Sequence, residues 1–427
     1  GGCTGEMALA ARGGGVARRA RRHNRRRPSR RAAATSASAE ATVRAFEFAS
    51  ATRIVFGCNT AVQAVEDFVR SSEGVRSVLL VTGSDPSRAS AFVSALESAG
   101  AAVQTFALPP GEPTVGTAGA ALEAGRACGA NAVVSVGGGS AIDTGKAVAG
   151  LLPQPGGLMD YMEVVGRGQP LTERSLPFVA VPTTAGTGAE VTKNSVFDDP
   201  EANVKASIRS NLMLPAVAVV DPTLTLGCPP ALTAATGLDA LIQCLEPYVC
   251  NVPNPIVDAI SMEGLRRAAR ALVPAYRDGS NLAAREDMCV ASLCGGLSLA
   301  NAKLGAVHGF AGPLGGMLHG PHGALCAAML PAAMEINVRA LKQGGARVPA
   351  GSDALQRYDV VAKVLTGDLS AEAHHAVDLL RDVVKELGVP GLASYGMTEE
   401  RIPEAVEKGL RSSSMKGNPV PLTEEEL

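Results

Sequence analysis

Between residues 46 and 228, short apolar runs rich in valine alternate with longer stretches of helical character. This alternation is typical of a parallel sheet whose strands are joined by helices, because strands covered on both faces are apolar throughout. Runs such as SVLLVTG and LPFVAVPTT end at Gly or Pro-containing segments, as strands commonly do. The pattern predicts strands within residues 77–83, 101–108, 130–140, 176–184 and 215–222, and helices within residues 87–100, 116–129 and 141–152.

The pattern of apolar and polar residues changes at Pro229 and Pro230. From about Thr233 to the end, no convincing strand pattern occurs. Ala- and Leu-rich stretches such as SMEGLRRAARALVPAY and SDALQRYDVVAKVL predict helices instead. The sequence therefore predicts three parts. They are a disordered basic segment (residues 1–44), an α/β domain (45–228) and an all-helical domain (229–427).

The chain ends in PLTEEEL, in which Thr423 and Glu426 have the spacing of a capping box. This spacing predicts the start of a helix, and the sequence stops within its first turn. We therefore expect the helical domain to be truncated at its C-terminus.

The first 44 residues carry eleven Arg against only Glu6 and Glu40, although the whole chain has a net charge of −2. From Met7 this segment is rich in Arg, Ala and Ser, a composition typical of an organelle transit peptide, with a plastid favoured over a mitochondrion. The alternative is a disordered basic arm that binds nucleic acid. Because the remainder is acidic, we expect no nucleic-acid partner for the body of the protein.

The apolar residues and the cysteines bear on whether the protein spans a membrane or depends on disulfides. No run approaches about 18 uninterrupted apolar residues, so no membrane span or membrane partner is predicted. The nine cysteines are scattered and form no CxxC pair, which favours buried thiols in a reducing compartment over a disulfide framework.

Two polar loops follow predicted strands. In VVSVGGGSAIDTGK, Gly137 to Ser140 join a strand to a helix, where glycines allow close backbone approach to an anion and the helix N-terminus offers free N–H groups. In VPTTAGTGAEVTKNSVF, threonine hydroxyls and two glycines follow a second strand. Because both loops are expected at the carboxyl edge of the sheet, they predict a ligand site there, although each could also be an ordinary polar turn.

Three of the six histidines, His308, His319 and His322, fall within the Gly-rich stretch GAVHGFAGPLGGMLHGPHG. Together with GGGSAIDTGK, PTTAGTGAEVT and GLDAL, the motifs VHGFAGPLGG and PHG resemble, in this order, the iron-containing (group III) alcohol dehydrogenase family. The resemblance extends from about Phe46 to the end and implies a dehydroquinate synthase-like architecture. In this architecture, a cleft separates a dinucleotide-binding α/β domain from a helical metal and substrate domain. It also implies that the cofactor is contacted by Gly138, Gly139, Ser140, Asp143, Thr183, Thr184, Thr187 and Lys205.

Members of that family that prefer NAD often have Asp just after an early strand, where an acid holds the ribose hydroxyl and repels a 2′-phosphate. This sequence has Gly83 there, followed by Ser84, with Arg88 nearby. We therefore expect Gly83 and Ser84 to line the cofactor site and NADP(H) to be preferred over NAD(H).

The family binds one divalent metal through an Asp and a His four residues apart on one helix, plus two later histidines. The resemblance assigns Asp239, His308 and His322 as metal ligands and catalytic residues, with Gln243 in place of the other His. Three protein ligands still make an open catalytic site, and the amide oxygen of Gln243 is a weak additional ligand. Loss of one histidine ligand favours Zn over Fe, and the sequence leaves both metals as candidates.

Two further departures concern proton transfer. Gly312 stands where many members have a histidine near the nicotinamide, and His319, which matches no ligand position, is a candidate substitute. His374 and His375 lie on a polar stretch and are expected to be solvated.

These features predict a metal-dependent, NAD(P)-linked alcohol dehydrogenase or aldehyde reductase that transfers hydride between nicotinamide and a small alcohol or aldehyde. One alternative is a glycerol dehydrogenase- or maleylacetate reductase-like enzyme of the same fold. Another is a non-catalytic nucleotide-binding protein with a degraded metal site. The resemblance also implies a homodimer or a larger assembly.

Overall fold

A six-stranded parallel sheet dominates the N-terminal half of the computed structural model, which describes residues 45–427. The eight strands of this region are β1 (Arg53–Phe56), β2 (Ser77–Thr82), β3 (Ala102–Ala107), β4 (Ala132–Gly137), β5 (Phe178–Pro182), β6 (Asn194–Asp199), β7 (Val204–Arg209) and β8 (Val217–Val220). The sheet has the order β1-β8-β5-β4-β2-β3, and β6 pairs with β7 in a separate antiparallel hairpin.

Helices flank the sheet and then form the whole C-terminal half. They are α1 (Ala61–Ser71), α2 (Ser90–Ser98), α3 (Val115–Ala127), α4 (Gly139–Leu151), α5 (Leu158–Tyr161), α6 (Pro230–Val249), α7 (Pro255–Arg277), α8 (Leu282–Asn301), α9 (Ala306–Leu318), α10 (His322–Gln343), α11 (Ala354–Thr366), α12 (Ala373–Glu386) and α13 (Ile402–Arg411).

The predicted α/β fold with a helical C-terminal region is confirmed. Strands β4, β5 and β8 are buried along their whole length, as apolar strands covered on both faces should be. Their parallel registers align Thr82 with Val136 and Gly137 with Pro182, so the loops after β2, β4 and β5 emerge at one edge. Because β3 lies on one side of β2 and β4 on the other, the strand order reverses here, where open α/β sheets bind ligands.

The β6–β7 hairpin corrects the prediction of a continuous polar loop after β5. Its side chains alternate between buried and partly exposed, with Phe197 and Ala206 facing inward as cross-strand partners. Alternation of this kind indicates a half-buried antiparallel pair, which the polar letters of NSVFDD conceal. The hairpin packs against α4 and α9, so it joins the glycine-rich loop region to the helical half.

The helical half is organised around α6, α7, α8 and α10, which share one apolar core. Helix α10 is long and apolar enough by composition to span a membrane, but 67% of its apolar window is buried inside this fold. The change from α/β to helical structure coincides with the predicted boundary at Pro230. Residues from Phe46 onward nevertheless pack as one compact unit, so a division into separate domains stays a prediction.

The C-terminal prediction is met only by a single turn. The Glu426 carboxylate accepts the backbone N–H of Thr423 at 2.9 Å, as a capping box requires, and Leu427 N–H donates to the Thr423 carbonyl at 3.2 Å. Arg347 also binds Glu426, at 2.6 Å, which fixes this turn to the end of the helical half. The predicted segment 1–44 lies outside the described residues.

Candidate active site

A cleft of about 480 Å³ lies between the carboxyl edge of the sheet and helices α6, α9 and α10. Every residue that the sequence assigned to the cofactor or the metal lines this cleft. The lining includes Gly83, Ser84, Gly138, Gly139, Ser140, Asp143, Thr183, Thr184, Thr187, Lys205, Asp239, Gln243, His308 and His322.

The glycine-rich loop is shorter than the sequence suggested, because Gly137 ends β4, Gly138 caps α4 and Gly139 already lies in the helix. A side chain at Gly137 would place its Cβ 2.6 Å from the Cβ of Ala141, too close for any real contact. Glycine therefore allows α4 to begin directly at the sheet edge, with its first-turn N–H groups at the cleft. A helix N-terminus in this position favours an anion such as a pyrophosphate.

The threonine-rich loop packs directly on the glycine-rich loop. Thr183 N–H donates to the Gly137 carbonyl at 2.9 Å, and a Cβ on Gly139 would approach Thr187 to 3.0 Å. Gly188 has φ +58°, in the left-handed region, and its backbone lies against that of Gly296 on α8. Close backbone contact between Gly188 and Gly296 therefore holds the threonine-rich loop against α8 at positions that require glycine.

A buried ion pair lies below the loops. Lys146 on α4 is fully buried, and its ammonium donates to Thr192 Oγ1 at 2.8 Å and to the Asn194 carbonyl at 2.7 Å. Asp143 lies 3.4 Å from that ammonium and accepts the N–H of Val196 at 3.1 Å. Burial raises the pKa of Asp143 and lowers that of Lys146, against their mutual attraction. Asp143 lines the cleft, but its carboxylate is also used to anchor the β6–β7 hairpin to α4.

At the early strand, Gly83 follows β2, and no heavy atom of residues 45–427 lies within 4 Å of the point that a Cβ on Gly83 would occupy. Arg88 also lines the cleft and reaches across to Gly227, with its Nη2 3.2 Å from the corresponding point on that glycine. The nearby acid Asp85 also lines the cleft, and its Oδ1 accepts the N–H and hydroxyl of Ser87. This end of the cleft therefore holds one acid, Asp85, and one cation, Arg88.

Lys205 and Glu112 form a second charged pair in the cleft. Lys205 Nζ lies 3.4 Å from Glu112 Oε2, and the N–H of His322 donates to Glu112 Oε1 at 3.3 Å. Burial opposes the charge on Glu112, but the positive charges of Lys205 and His322 outweigh it and lower its pKa. Sequence reasoning missed Glu112, which comes from the loop after β3 and meets His322 only in the folded chain.

The proposed metal ligands converge from three helices. Asp239 lies on α6, His308 near the start of α9, and His322 is the first residue of α10. Asp239 Oδ1 lies 3.4 Å from His308 Nε2 and 3.9 Å from His322 Nε2. Cys326, one turn after His322, completes a group of four potential ligand atoms that all lie within 4.8 Å of one another.

Glu246 holds His308 in place and was missed by sequence reasoning. Its carboxylate accepts the N–H of Val307 at 2.7 Å and lies 2.7 Å from His308 Nδ1, so it caps α9 and orients the imidazole. This pairing leaves Nε2 directed at Asp239, as in carboxylate–histidine–metal arrangements. The sequence spacing could have indicated Glu246, because residues 239, 243 and 246, at positions i, i+4 and i+7, share one helix face.

Gln243 serves the site differently from the histidine it replaces. Its side-chain Nε2 donates to Asp239 Oδ2 at 2.7 Å, and its Oε1 has no hydrogen-bond partner among the described residues. The same is true of the buried atoms Asp239 Oδ1 and His308 Nε2. Buried polar atoms without hydrogen-bond partners are costly, and two of them, Asp239 Oδ1 and His308 Nε2, lie 3.4 Å apart in the ligand cluster, which fits a bound cation. The donor set of carboxylate and imidazole suits a divalent transition metal.

Electrostatics within the cluster point the same way. Burial alone would lower the pKa of His308, but the carboxylates of Asp239 and Glu246 raise it to about 10. Burial would raise the pKa of Asp239, but the nearby imidazoles of His308 and His322 lower it below its usual range. Asp239 is therefore ionised, and its carboxylate favours a positive charge beside it, either a proton on His308 or a bound cation.

The remaining histidine predictions fall outside the cleft lining. His319 caps the end of α9 with φ +51°, is about half exposed, and lies 3.7 Å from Asp198. Among the described residues, no heavy atom lies within 4 Å of the position of a Cβ on Gly312. His374 and His375 lie on α12, where the imidazole of His374 is about half exposed.

Two family models match successive parts of the chain. Residues 51–222 match the family model for iron-containing alcohol dehydrogenase, and residues 233–427 match the model for the C-terminal part of the Fe-containing alcohol dehydrogenase family. The chain is 34% identical over 373 residues to Alcohol dehydrogenase 4 of Saccharomyces cerevisiae, which covers 86% of this chain and 93% of the yeast protein. It is 37% identical over 297 residues to the 1,3-propanediol dehydrogenase of Klebsiella pneumoniae, covering 69% of this chain and 73% of that protein.

Solved structures of an oxidoreductase and a reductase are also similar to this chain. A crystal structure of a 1,3-propanediol oxidoreductase superimposes with a TM-score of 0.80 at 32% identity, covering 90% of this chain and 98% of the other. A sulfoacetaldehyde reductase from Bifidobacterium kashiwanohense, in complex with NAD+, superimposes with a TM-score of 0.77 at 29% identity, covering 90% and 96% of the two chains.

Proposed function

This chain belongs to the iron-containing alcohol dehydrogenase family and is an alcohol oxidoreductase; from that premise we propose that it reduces small aldehydes with NADPH. The family implies a divalent metal and a nicotinamide cofactor. The proposal assigns the metal to Asp239, His308 and His322. The observation that carries it is the convergence of partnerless buried ligand atoms at one end of the cofactor cleft.

Each side of the cleft has a distinct task in this reaction. The first turn of α4, after Gly138, and the threonine-rich loop bind the cofactor phosphates through backbone N–H groups and hydroxyls. The metal, when bound, supplies Lewis-acid polarisation of the substrate carbonyl. Asp239, His308 and His322 position that charge at the far end of the cleft. A bound nicotinamide cofactor would supply or accept the hydride, and the two halves of the cleft would hold it and the substrate carbon close together.

The NADP(H) preference is supported by the end of the cleft near β2. Gly83 leaves space where an acidic residue would repel a 2′-phosphate, and Arg88 lines the same end. Arginine binds phosphate oxygens with geometry that lysine cannot match. We propose that Arg88 binds the 2′-phosphate of NADP(H).

The test compares kcat/KM for NADPH and NADH with a panel of short aldehydes, using the metal-loaded protein. We expect NADPH to be preferred, and Gly83→Asp to shift the preference towards NADH by about tenfold or more, because like charges in contact cost several kcal/mol. Gly83→Asn is the matched control, since it adds the same bulk without the charge. An NADH preference in the unmodified protein, or equal effects of Asp and Asn, would overturn the cofactor proposal. Metal-loaded protein without turnover on any aldehyde or alcohol would favour a non-catalytic role.

For localisation, we propose that residues 1–44 direct the protein to a plastid. The supporting observation is compositional, with eleven Arg and only two acidic residues. A fluorescent protein carrying residues 1–44 should accumulate in plastids of a plant cell, whereas a fusion to residues 45–427 should not. Accumulation in mitochondria, or no organelle import, would contradict this.

We also propose that the protein is a homodimer or a larger assembly. Strand β1 lies at the edge of the sheet and exposes Ile54 and Phe56, each about two-fifths exposed. An unpaired edge with apolar side chains favours pairing with a second copy. Light scattering coupled to size exclusion should give at least twice the chain mass, and Ile54→Lys should reduce it; a monomer in the unmodified protein would refute the proposal.

A further inference from the structure

We propose that Cys326 is a further protein ligand of the metal, which compensates for the histidine that Gln243 replaces and selects Zn(II) over Fe(II). The inference rests on the metal site of the proposed function and deepens it. It concerns a residue that neither the motif order nor the ligand spacing in the sequence indicated.

Geometry places the sulfur at the ligand cluster. Cys326 lies four residues after His322 on α10, so the two side chains share a helix face. Its Sγ lies 3.6 Å from His322 Nε2, and within 4.8 Å of the ligand atoms of Asp239 and His308. Four ligand atoms from three helices thus surround a single point, a donor set of one carboxylate, two imidazoles and one thiol.

The position is unusual for a structural cysteine. Buried cysteines generally behave as small apolar residues and pack against other apolar groups. Cys326 is fully buried, but its sulfur lies 3.6 Å from an imidazole nitrogen of His322 and within 4.8 Å of a carboxylate oxygen of Asp239. Cys289 on α8 is also buried, but it is not part of the group of four potential ligand atoms. Among the described cysteines, Cys326 is the one whose sulfur lies with the ligand atoms of Asp239, His308 and His322.

Gln243 leaves the donor set one member short, and a sulfur can supply it. Because Gln243 uses its Nε2 to hold Asp239 Oδ2, its role in this structure is to orient the carboxylate. Neutral amide oxygens are also poor ligands for Zn(II), which prefers nitrogen and sulfur. A thiolate from Cys326 supplies the missing donor, and with Asp239 it balances the two positive charges of the metal in a buried site.

The binding step is a simple exchange without redox change. The S–H bond of Cys326 breaks as the S–metal bond forms, and the proton is released to solvent, as expected when thiols bind metals. Soft thiolate ligands favour Zn(II), whereas sites built from carboxylate and imidazole alone also accept Fe(II). Cys326 is therefore expected to set the metal preference of this chain.

X-ray absorption at the zinc edge of the unmodified, Zn-loaded protein gives the most direct test. We expect one Zn–S scattering path at about 2.3 Å beside Zn–N and Zn–O paths at about 2.0–2.2 Å. Zinc bound with nitrogen and oxygen neighbours alone would overturn the assignment of Cys326 and leave the proposed function intact. Absence of bound zinc, iron or cobalt would instead contradict the metal site of the proposed function.

Cobalt substitution tests the same bond with variants. Co(II)-loaded protein should show a thiolate-to-cobalt charge-transfer band in the near ultraviolet, which Cys326→Ser abolishes while one Co(II) per chain stays bound. The matched control, Cys289→Ser, removes an equally buried thiol and should leave the band unchanged. Persistence of the band in Cys326→Ser, or its loss in Cys289→Ser, would contradict the proposal.

Metal competition supplies a third readout that does not depend on turnover. When protein is loaded anaerobically from equal Zn(II) and Fe(II), we expect Cys326→Ser to weaken Zn(II) binding by about 10–100-fold or more, since even residues behind the ligands have effects of that size. The Fe:Zn ratio in the variant should rise accordingly. An unchanged ratio would show that the sulfur does not select the metal.

Discussion

The two walls of the cleft are built from different parts of the polypeptide. The cofactor wall is formed largely by loop backbone, because glycines at the end of β4 and in the following loops leave room for neighbouring segments to pack closely. The metal wall is made of side chains, with a carboxylate, imidazoles and a thiol that converge from α6, α9 and α10. Added side-chain atoms should disturb the cofactor wall, because its segments pack closely. Removal of a functional group should disturb the metal wall, because its side chains supply the proposed ligand atoms. Substitutions can therefore separate cofactor binding from metal binding.

The largest expected effect separates the walls by chemistry. His308→Ala removes a buried ligand, so bound metal should be lost and kcat/KM should fall by about 1000-fold or more, since Lewis-acid stabilisation is worth several kcal/mol. Binding of NADPH, followed by its fluorescence, should change little because the cofactor wall is intact. Activity within tenfold of the unmodified protein would contradict the division of roles.

A large effect on stability is expected where the cofactor wall meets the helical half. Gly188→Ala would put a Cβ 2.5 Å from Gly296 Cα and would force alanine to φ +58°. The steric and backbone costs together should lower the free energy of unfolding by about 2–4 kcal/mol. Gly100→Ala is the control, because Gly100 has φ +90° but open space around it, and should cost about 1–2 kcal/mol. Equal costs in urea unfolding would show that the contact with α8 is unimportant.

A smaller effect on the metal site is expected for Glu246, which holds the proposed ligand His308 in place. Glu246→Gln replaces an acceptor of two N–H groups with an amide that can accept at only one end. Metal affinity should fall by about 10–100-fold, while the rate per bound metal falls less. Glu263→Gln on α7 removes an acid that is about two-fifths exposed and should leave metal affinity unchanged. Unchanged affinity in Glu246→Gln would show that Glu246 does not support the metal wall.

The smallest expected effect is on the free energy of unfolding and concerns Glu426, which lies outside both walls of the cleft. The hydrogen bond from Arg347 lowers the pKa of Glu426 from 4.5 to about 2, so its contribution to stability is present above about pH 4.5 and is lost as the pH falls towards 2. Glu426→Gln should cost about 1 kcal/mol at pH 7 because the pair is near the surface, and the difference should disappear in acid. Urea midpoints across this range measure it. A difference that grows in acid would have the wrong sign.

Sequence reasoning predicted the cofactor wall better than the metal wall. The strands that end at the cleft are continuous apolar runs, and glycine letters mark close backbone approach directly. The hairpin of β6 and β7 was missed because its outward face is polar, so the alternation looked like a loop. Lys146 was missed because lysine is rarely fully buried, and only its partners in the fold explain its position.

On the metal wall, motif order supplied Asp239, His308 and His322 but not the residues that complete them. Glu246 and Cys326 lie at helical spacing from Asp239 and His322, which are proposed ligands, so periodicity could have indicated the helix face they occupy. Glu112 is different, because it meets His322 across 210 residues of sequence through the packing of the two halves. Contacts of this kind depend on tertiary structure, and local patterns carry no information about them.

The central claim is that the metal wall makes this protein an oxidoreductase. The most direct measurement is the NADPH-dependent aldehyde reduction rate as chelator-treated protein is reloaded stepwise with Zn(II), with bound metal quantified in each sample. We predict activity that rises in proportion to occupancy and saturates at about one metal per chain. Full turnover in metal-free protein would contradict this claim, and would show that hydrogen bonds alone polarise the carbonyl.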